Sequence, residues 1–519
     1  MTDATTARAA GRGGVAVLGA KVFFLLVGFV QQPLLRIAVG LADFGGLAQA
    51  LVVANVVNNV VISSGTQGVS RAVAGAPGHE DEAFRAALRV HVPLAILVAA
   101  AMAVAAPAYA GFERAHEVIV PLLVLAGVAL LYGLYAPLIG YLNGRNRFGR
   151  QAALDVAFAT MRTLGLVGVG YAFVRQGLSG VLGTTVGWVA AAACIVPLAA
   201  QSTGLGKALT HSGPRPAGVP TASAYVAVLV PIAGAQLCTN LLMQIDIALL
   251  GRFLSESAAG AGLAGEAQRD AVKSWVAIYK ECQTFAFLPY QLLFSITLVL
   301  FPMLARAQAD GDRATVRAYV ARGSRLAAIF CGLLVGVVVA MPESMLSFAY
   351  GAKDAVRGAE VLRVMALAQG AFTMLGIATT VLTSVGQERT SAVLTLGAVI
   401  AVGIACSVLV PGAAFGGSQL VRSSEATGLA LIVTLAIGAG LVYARTGAFV
   451  PVATAARVVL GVGGCLALGL VAPRVGRLLT PIFALAIAAA YAGWLVVSRE
   501  LGGNDVAALR ALVSRRQRA

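Results

Sequence analysis

EVIVPLLVLAGVALLYGLYAPLIGYL, residues 117–142, carries one charge at its first position, Glu117, and then twenty-five residues with none. Wound as a helix at about 1.5 Å per residue, a run of this length spans the roughly 30 Å of a bilayer's hydrocarbon. A helix bonds its own backbone groups, so it is the element such a run adopts in lipid. The next eight residues, NGRNRFGR (143–150), place Arg145, Arg147 and Arg150 together directly after the run. Long uncharged run, then a short basic interval: that alternation governs the rest of the chain.

Applied along the 519 residues, runs of about 18 or more mostly apolar residues give fourteen predicted spans. They lie near 14–36, 45–69, 88–111, 117–142, 152–174, 179–200, 222–251, 274–304, 322–342, 358–384, 390–411, 427–445, 452–473 and 478–498. Composition agrees, with 59% apolar and 12% charged residues and a mean hydropathy of +0.86. A soluble enzyme of this size would need charge over most of its surface, and that class is excluded. The many Ala, Gly and Val residues suit close helix packing in lipid. The expected fold class is therefore an all-α polytopic membrane protein. The first run is too long for a signal-peptide core and has no A-x-A site after it, so it counts as a retained span.

Thirty-eight basic against 22 acidic residues leave a net charge of +16. Nucleic acid is not needed as a partner to explain this excess. With a cytoplasmic N-terminus, the inner loops and tails hold 23 of the Lys and Arg residues and the outer loops 12. Three more, Lys21, Arg162 and Lys280, lie farther inside spans; basic residues nearer a span end are counted with the adjoining loop. That ratio predicts a bacterial inner-membrane protein with both termini cytoplasmic and a basic tail (Arg510, Arg515, Arg516, Arg518) against anionic membrane lipid. The six cysteines lie far apart in apolar runs and read as small core residues. The four histidines lie in loops or at span ends, so no metal site is expected. GLGKALT (204–210) has a Gly-Lys pair, but position 201 is Gln and no Ser or Thr follows Lys207, so no phosphate-cradling loop is present. No interval between spans much exceeds 20 residues, which leaves no room for the large outer domain of a membrane glycosyltransferase or ligase.

Two pairs of inner-loop sequences echo each other. GRNRFGRQAAL from Gly144 matches GQERTSAVL from Gly386 at a spacing of 242, and VSRAVA around Arg71 matches LARAQA around Arg306 at 235. Each offset equals six spans. Two six-helix lobes of like orientation, related by an axis along the membrane normal, are therefore predicted, with two further helices at the C-terminal end. The boundaries are an N-lobe over 1–200, a cytoplasmic linker over 201–221, a C-lobe over 222–445, two extra helices over 446–498 and the tail over 499–519.

RIAVGLADFGGLAQA (36–50) resembles the R-x-LG-x-x-x-(Y/F)-G stretch between the first two helices of polysaccharide flippases, members of the multidrug/oligosaccharidyl-lipid/polysaccharide (MOP) exporter superfamily. YLNGRNRFGRQA (141–152) is similar to their Gly-rich turn before the fifth helix, and FAFLPYQLLFSITLVLFPMLARA (285–307) to their eighth helix. Fourteen spans resemble the polysaccharide and lipid II flippase branches more than the multidrug branch, typically of twelve. The resemblance implies alternating-access transport, without catalysis, of a polyprenyl-pyrophosphate-linked oligosaccharide from the inner to the outer leaflet. Polysaccharide polymerase machinery is an implied partner, and lipid II and cation-coupled drug export are the alternatives. No cofactor is expected beyond a coupling H⁺ or Na⁺.

Ionisable side chains inside spans are costly and mark functional candidates. Lys21 and Arg162 are expected to face a cavity and attract the pyrophosphate, Arg being suited to a two-pronged phosphate contact. The structural alternatives have Lys21 snorkel to the interface, or pair either cation with Asp155, which lies seven residues from Arg162 on one helix face. Asp246 and Lys280 are expected at similar depth, either as an ion pair or with Asp246 binding a coupling cation. Asn55, Asn58 and Asn59 recur at helical spacing, and with Gln31 they are candidates for binding sugar hydroxyls or for gluing helices together.

Overall fold

The computed structural model describes residues 2–204, 206, 219–471 and 475–502, with side chains left out for 2–18 and 292–302. Most of the expected linker and all but the start of the basic tail lie outside the described residues. The first six spans are α1 (Thr2–Val39), α2 (Leu41–Ala74), α3 (Glu80–Glu113), α4 (Ile119–Gly144), α5 (Phe148–Arg175) and α6 (Gly180–Thr203). A 3-10 turn, His116–Val118, leads into α4. Next come α7 (Ala222–Leu242), α8 (Ile245–Gly260), α9 (Gly265–Ala286) and α10 (Leu288–Ala309). The remainder comprises α11 (Arg313–Ala340), α12 (Pro342–Tyr350), α13 (Ala352–Ser384), α14 (Glu388–Leu409), α15 (Gly417–Thr446), α16 (Val452–Val471) and α17 (Thr480–Val497).

Among the described residues, 13 helices are long and apolar enough to cross a membrane, and each overlaps one of the fourteen predicted spans. The remaining span, 274–304, is built from α9 and α10. These part at Phe287, because Pro289 has no N–H to continue the ladder and instead opens α10 within its first turn. The span at 222–251 is likewise two helices, α7 and α8, separated by Met243 and Gln244. Beside that break an Asp246 carboxylate oxygen accepts the Ile247 N–H at 2.8 Å, a local bond that competes with helix continuation. The short α12 was not expected; Pro342 starts it as a separate helix.

Contacts gather the chain into two compact units. The first holds the described residues up to Lys280 together with Cys406–Gln419; the second holds Glu281–Ala405 and the described residues from Leu420 on. The division passes through α9.

Within the first unit, α5 packs on α6 and α1, and α4 on α2. A Cβ placed on Gly187 would lie 2.0 Å from the Gly165 carbonyl oxygen, so the α5 and α6 backbones touch where neither has a side chain. Gly40, with φ of 86°, is the one residue between α1 and α2, a conformation that a side chain would strain. Three residues on, the Asp43 carboxylate accepts the Gly180 N–H at 2.7 Å and caps α6 from across the bundle. The 36–50 stretch thus turns the chain and anchors a distant helix. In the second unit, α11 packs against α10, α13 and α16. Apolar side chains such as Leu97 and Val104 stand exposed on α3, as expected of a surface that meets lipid.

Candidate functional site

Arg162 stands fourteen residues past the start of α5, about 21 Å along a 28-residue helix, and so near its middle. Its guanidinium carbon sits 4.7 Å from the centroid of the Phe24 ring on α1. On its other side it comes within electrostatic reach of the Tyr132 hydroxyl on α4. That hydroxyl is fixed by the Trp188 indole N–H, which donates to it at 2.7 Å from α6. Aromatic faces and a phenol, not a carboxylate, therefore hold this cation, at about 0.5–2 kcal/mol for the ring contact. Among the described residues no acid pairs with Arg162, and its buried Nε has no acceptor.

Asp155, two turns earlier on α5, pairs instead with Lys21 on α1 at 3.1 Å. Lys21's side chain is 50% exposed and Asp155's 11%. One residue past Arg162, the Thr163 hydroxyl donates to Gln31, buried on α1, at 2.9 Å. Along the α1–α5 seam the structure thus assembles Lys21, Asp155, Gln31 and Arg162: one cation already neutralised and one whose charge is unmatched.

The asparagines of α2 do not act as one stripe. Asn58 is buried with neither amide atom bonded, Asn55 is half-buried, and the Asn59 side-chain amide donates to Asn240 Oδ1 on α7 at 2.9 Å. Asn59 therefore joins α2 to α7. The buried Asp246 accepts the Tyr279 hydroxyl at 2.7 Å, and Lys280 lies within electrostatic reach of Asp246.

Sequence reasoning missed Phe24, Tyr132 and Trp188, because an aromatic ring in an apolar run reads as core. It also missed Glu113, which fell two residues beyond the span predicted at 88–111 and was counted with the loop. Its neighbour Arg114 in fact pairs with Glu256 at 3.3 Å, while Glu113 itself is fully buried.

The sequence model of a family described as "Polysaccharide biosynthesis protein" matches residues 10–308. No curated protein matches the chain. Among solved structures, the fold is similar to "Lipid II flippase MurJ, inward closed conformation", with a TM-score of 0.68 at 11% identity over 94% of this chain and 99% of that one. It is similar to an inward-facing multidrug resistance MATE family transporter of the MOP superfamily, with a TM-score of 0.60 at 14% identity over 83% of this chain and 99% of that one. A MOP superfamily transporter from Pyrococcus furiosus gives 0.56 at 14% identity, over 83% of this chain and 96% of that one. At these identities the likeness concerns the fold.

Proposed function

The chain belongs to the polysaccharide biosynthesis protein family, within the MOP superfamily of membrane transporters, and from that premise we propose that it is a flippase for a polyprenyl-pyrophosphate-linked oligosaccharide. Its direction is from the cytoplasmic to the outer leaflet of a bacterial inner membrane, by alternating access. The observation that carries this function is Arg162, a cation near mid-helix held by Phe24 and Tyr132 with no acid beside it. A half-buried charge with no counter-ion is costly, and a pyrophosphate arriving between leaflets removes that cost. The fork of a guanidinium meets two phosphate oxygens at once. Lys21, half exposed on the same seam, is a second attraction once Asp155 releases it.

Lipid II shares the pyrophosphate, and a solved lipid II flippase shares the fold; it is therefore the alternative cargo for the same Arg162 chemistry. A cation-coupled drug exporter would call for an acidic seam, and α1 and α5 offer a basic one. The test is to remove the protein from cells and weigh the lipid-linked oligosaccharides by mass spectrometry alongside the surface glycan. Lipid-linked oligosaccharide is expected to accumulate as surface glycan falls, and the accumulated mass names the cargo. An unchanged pool with altered drug tolerance would overturn the proposal in favour of drug export.

A further inference from the structure

Away from the α1–α5 seam, the C-terminal end of α3 holds a carboxylate with no counter-charge. Glu113 is 0% exposed, and Gln49 on α2, beside it, is 1% exposed. The Tyr109 hydroxyl donates to Glu113 Oε1 and lies 3.2 Å from the Gln49 backbone oxygen. Neither Glu113 Oε2 nor either amide atom of Gln49 makes a hydrogen bond of good geometry, although the Gln49 side chain lies within reach of the Glu113 carboxyl. Gly251 on α8 closes the far side. A Cβ there would lie 2.8 Å from Oε2 and 3.4 Å from Gln49 Nε2, so the absence of a side chain preserves the room around them.

The charged groups on the surrounding elements are committed elsewhere. Glu256 takes both Arg114 and Arg252, Arg252 also lies over the Phe112 ring, and Glu117 of the 3-10 turn pairs with Lys273 of α9. Near Gln49, the charged residue of α2 is Asp43, which caps α6. An isolated buried carboxylate costs several kcal/mol unless a positive charge neutralises it, and none of these residues supplies one.

We infer that Glu113, Gln49 and Tyr109 form a binding site for one monovalent cation, taken up as a proton on Oε2 or as a sodium ion bridging Oε2 and the Gln49 side-chain oxygen. Either occupant satisfies at least two of the orphaned atoms and cancels the charge. A divalent ion does not fit, because a single carboxylate with an amide and a phenol offers too little negative oxygen. The site joins α2, α3 and α8, so its occupancy stabilises their packing. It stands independently of the cargo.

The test uses the purified full-length protein in lipid nanodiscs, without cargo. Thermal stability is followed against Na⁺ at fixed pH, and infrared difference spectra are recorded across pH at fixed Na⁺. For a sodium site, Tm rises with each tenfold increase in Na⁺ and a carboxylate band shifts on Na⁺ addition. For a proton site, a buried carboxylic-acid carbonyl band titrates and Na⁺ has no effect. Glu113→Gln, neutral and of the same shape, is expected to stay folded and to lose whichever response the wild type shows. Tyr109→Phe keeps the carboxyl and is expected to shift the same infrared band, which tests the assignment even where Glu113→Gln does not fold. A wild type with neither response, or a Glu113→Gln protein that keeps the wild-type one, overturns the site.

Discussion

Arg162 and Lys21 lie on one seam but differ in what surrounds them, and their variants should differ accordingly. A charge-assisted hydrogen bond contributes about 1.5–3 kcal/mol, and a tenfold change corresponds to about 1.4 kcal/mol. Arg162→Ala is therefore expected to lower glycan export by roughly 10- to 100-fold while the protein stays inserted, as surface glycan normalised to protein level would record. Arg162→Lys keeps the charge and loses the fork, so it should fall between the two. Undiminished export in Arg162→Ala would remove this residue from the site. Lys21 already has Asp155 at 3.1 Å, so Lys21→Ala strands a carboxylate that is 11% exposed and should lower thermal stability. Adding Asp155→Ala should restore most of that loss, because the double variant removes the stranded carboxylate together with its partner. A double variant no more stable than Lys21→Ala alone would show that the pair is not coupled.

Between residue and whole lies the attachment of the last two helices. Glu500, just past α17, is 3% exposed at its side chain. Its carboxylate accepts from Arg325 of α11 at 2.7 Å, from Arg457 of α16 at 2.7 Å and from Thr454 of α16 at 2.6 Å, and its backbone oxygen accepts a second Arg325 N–H. Burial pushes its pKa up, but the bonds from Thr454, Arg325 and Arg457 outweigh burial and hold the carboxyl below its usual range. A carboxyl lowered in the folded state stabilises fully above its unfolded value and loses that contribution as pH falls through the folded value. Protection factors of the α16 and α17 amides, with the intrinsic pH dependence of exchange divided out, are thus expected to fall in acid. Glu500→Gln should show, already at neutral pH, a loss of about 1–3 kcal/mol and a flatter acid response. None of this was legible in sequence, where residues 499–519 read as a basic tail against anionic lipid: which arginine meets which acid is decided by packing over a separation of 175 residues. Span number and length were legible, because hydropathy over a helix-length window is a local property. The break at Met243 was not, since an apolar run crosses it, whereas Pro289 marks the one at Phe287. The polar stripe of α2 was seen as a pattern, but whether Asn58 is buried or Asn59 reaches Asn240 depends on α7.

For the molecule as a whole, orientation decides whether Arg162 serves export or import, and charge predicts it. Inner loops with 23 of the 38 basic residues against 12 outside should place the 145–150 turn in the cytoplasm and the 114–117 turn outside. Single cysteines test this in a background cleared of exposed native thiols. Cys194 is the exposed one, Cys238 is half-buried and the other four are buried. With Cys194→Ala and Cys238→Ala in place, His116→Cys should react with a membrane-impermeant thiol reagent on intact cells. Asn146→Cys should react only after the membrane is permeabilised. Asn146 sits at a φ of 55°, a left-handed position that Asn tolerates better than most residues, so a neighbouring Arg147→Cys serves as its control. The reverse pattern would put the half-exposed Lys21 and Asp155, about 10 Å from the start of α5, at the outer end of the seam. Cargo from the cytoplasmic leaflet would then reach Arg162 before Lys21, and the proposed order of capture, from a paired lysine at the entrance to an unpaired arginine near mid-membrane, would be inverted. With the expected pattern, the entrance cation faces the leaflet in which lipid-linked oligosaccharides are made, and the unmatched charge lies farther along the path of export.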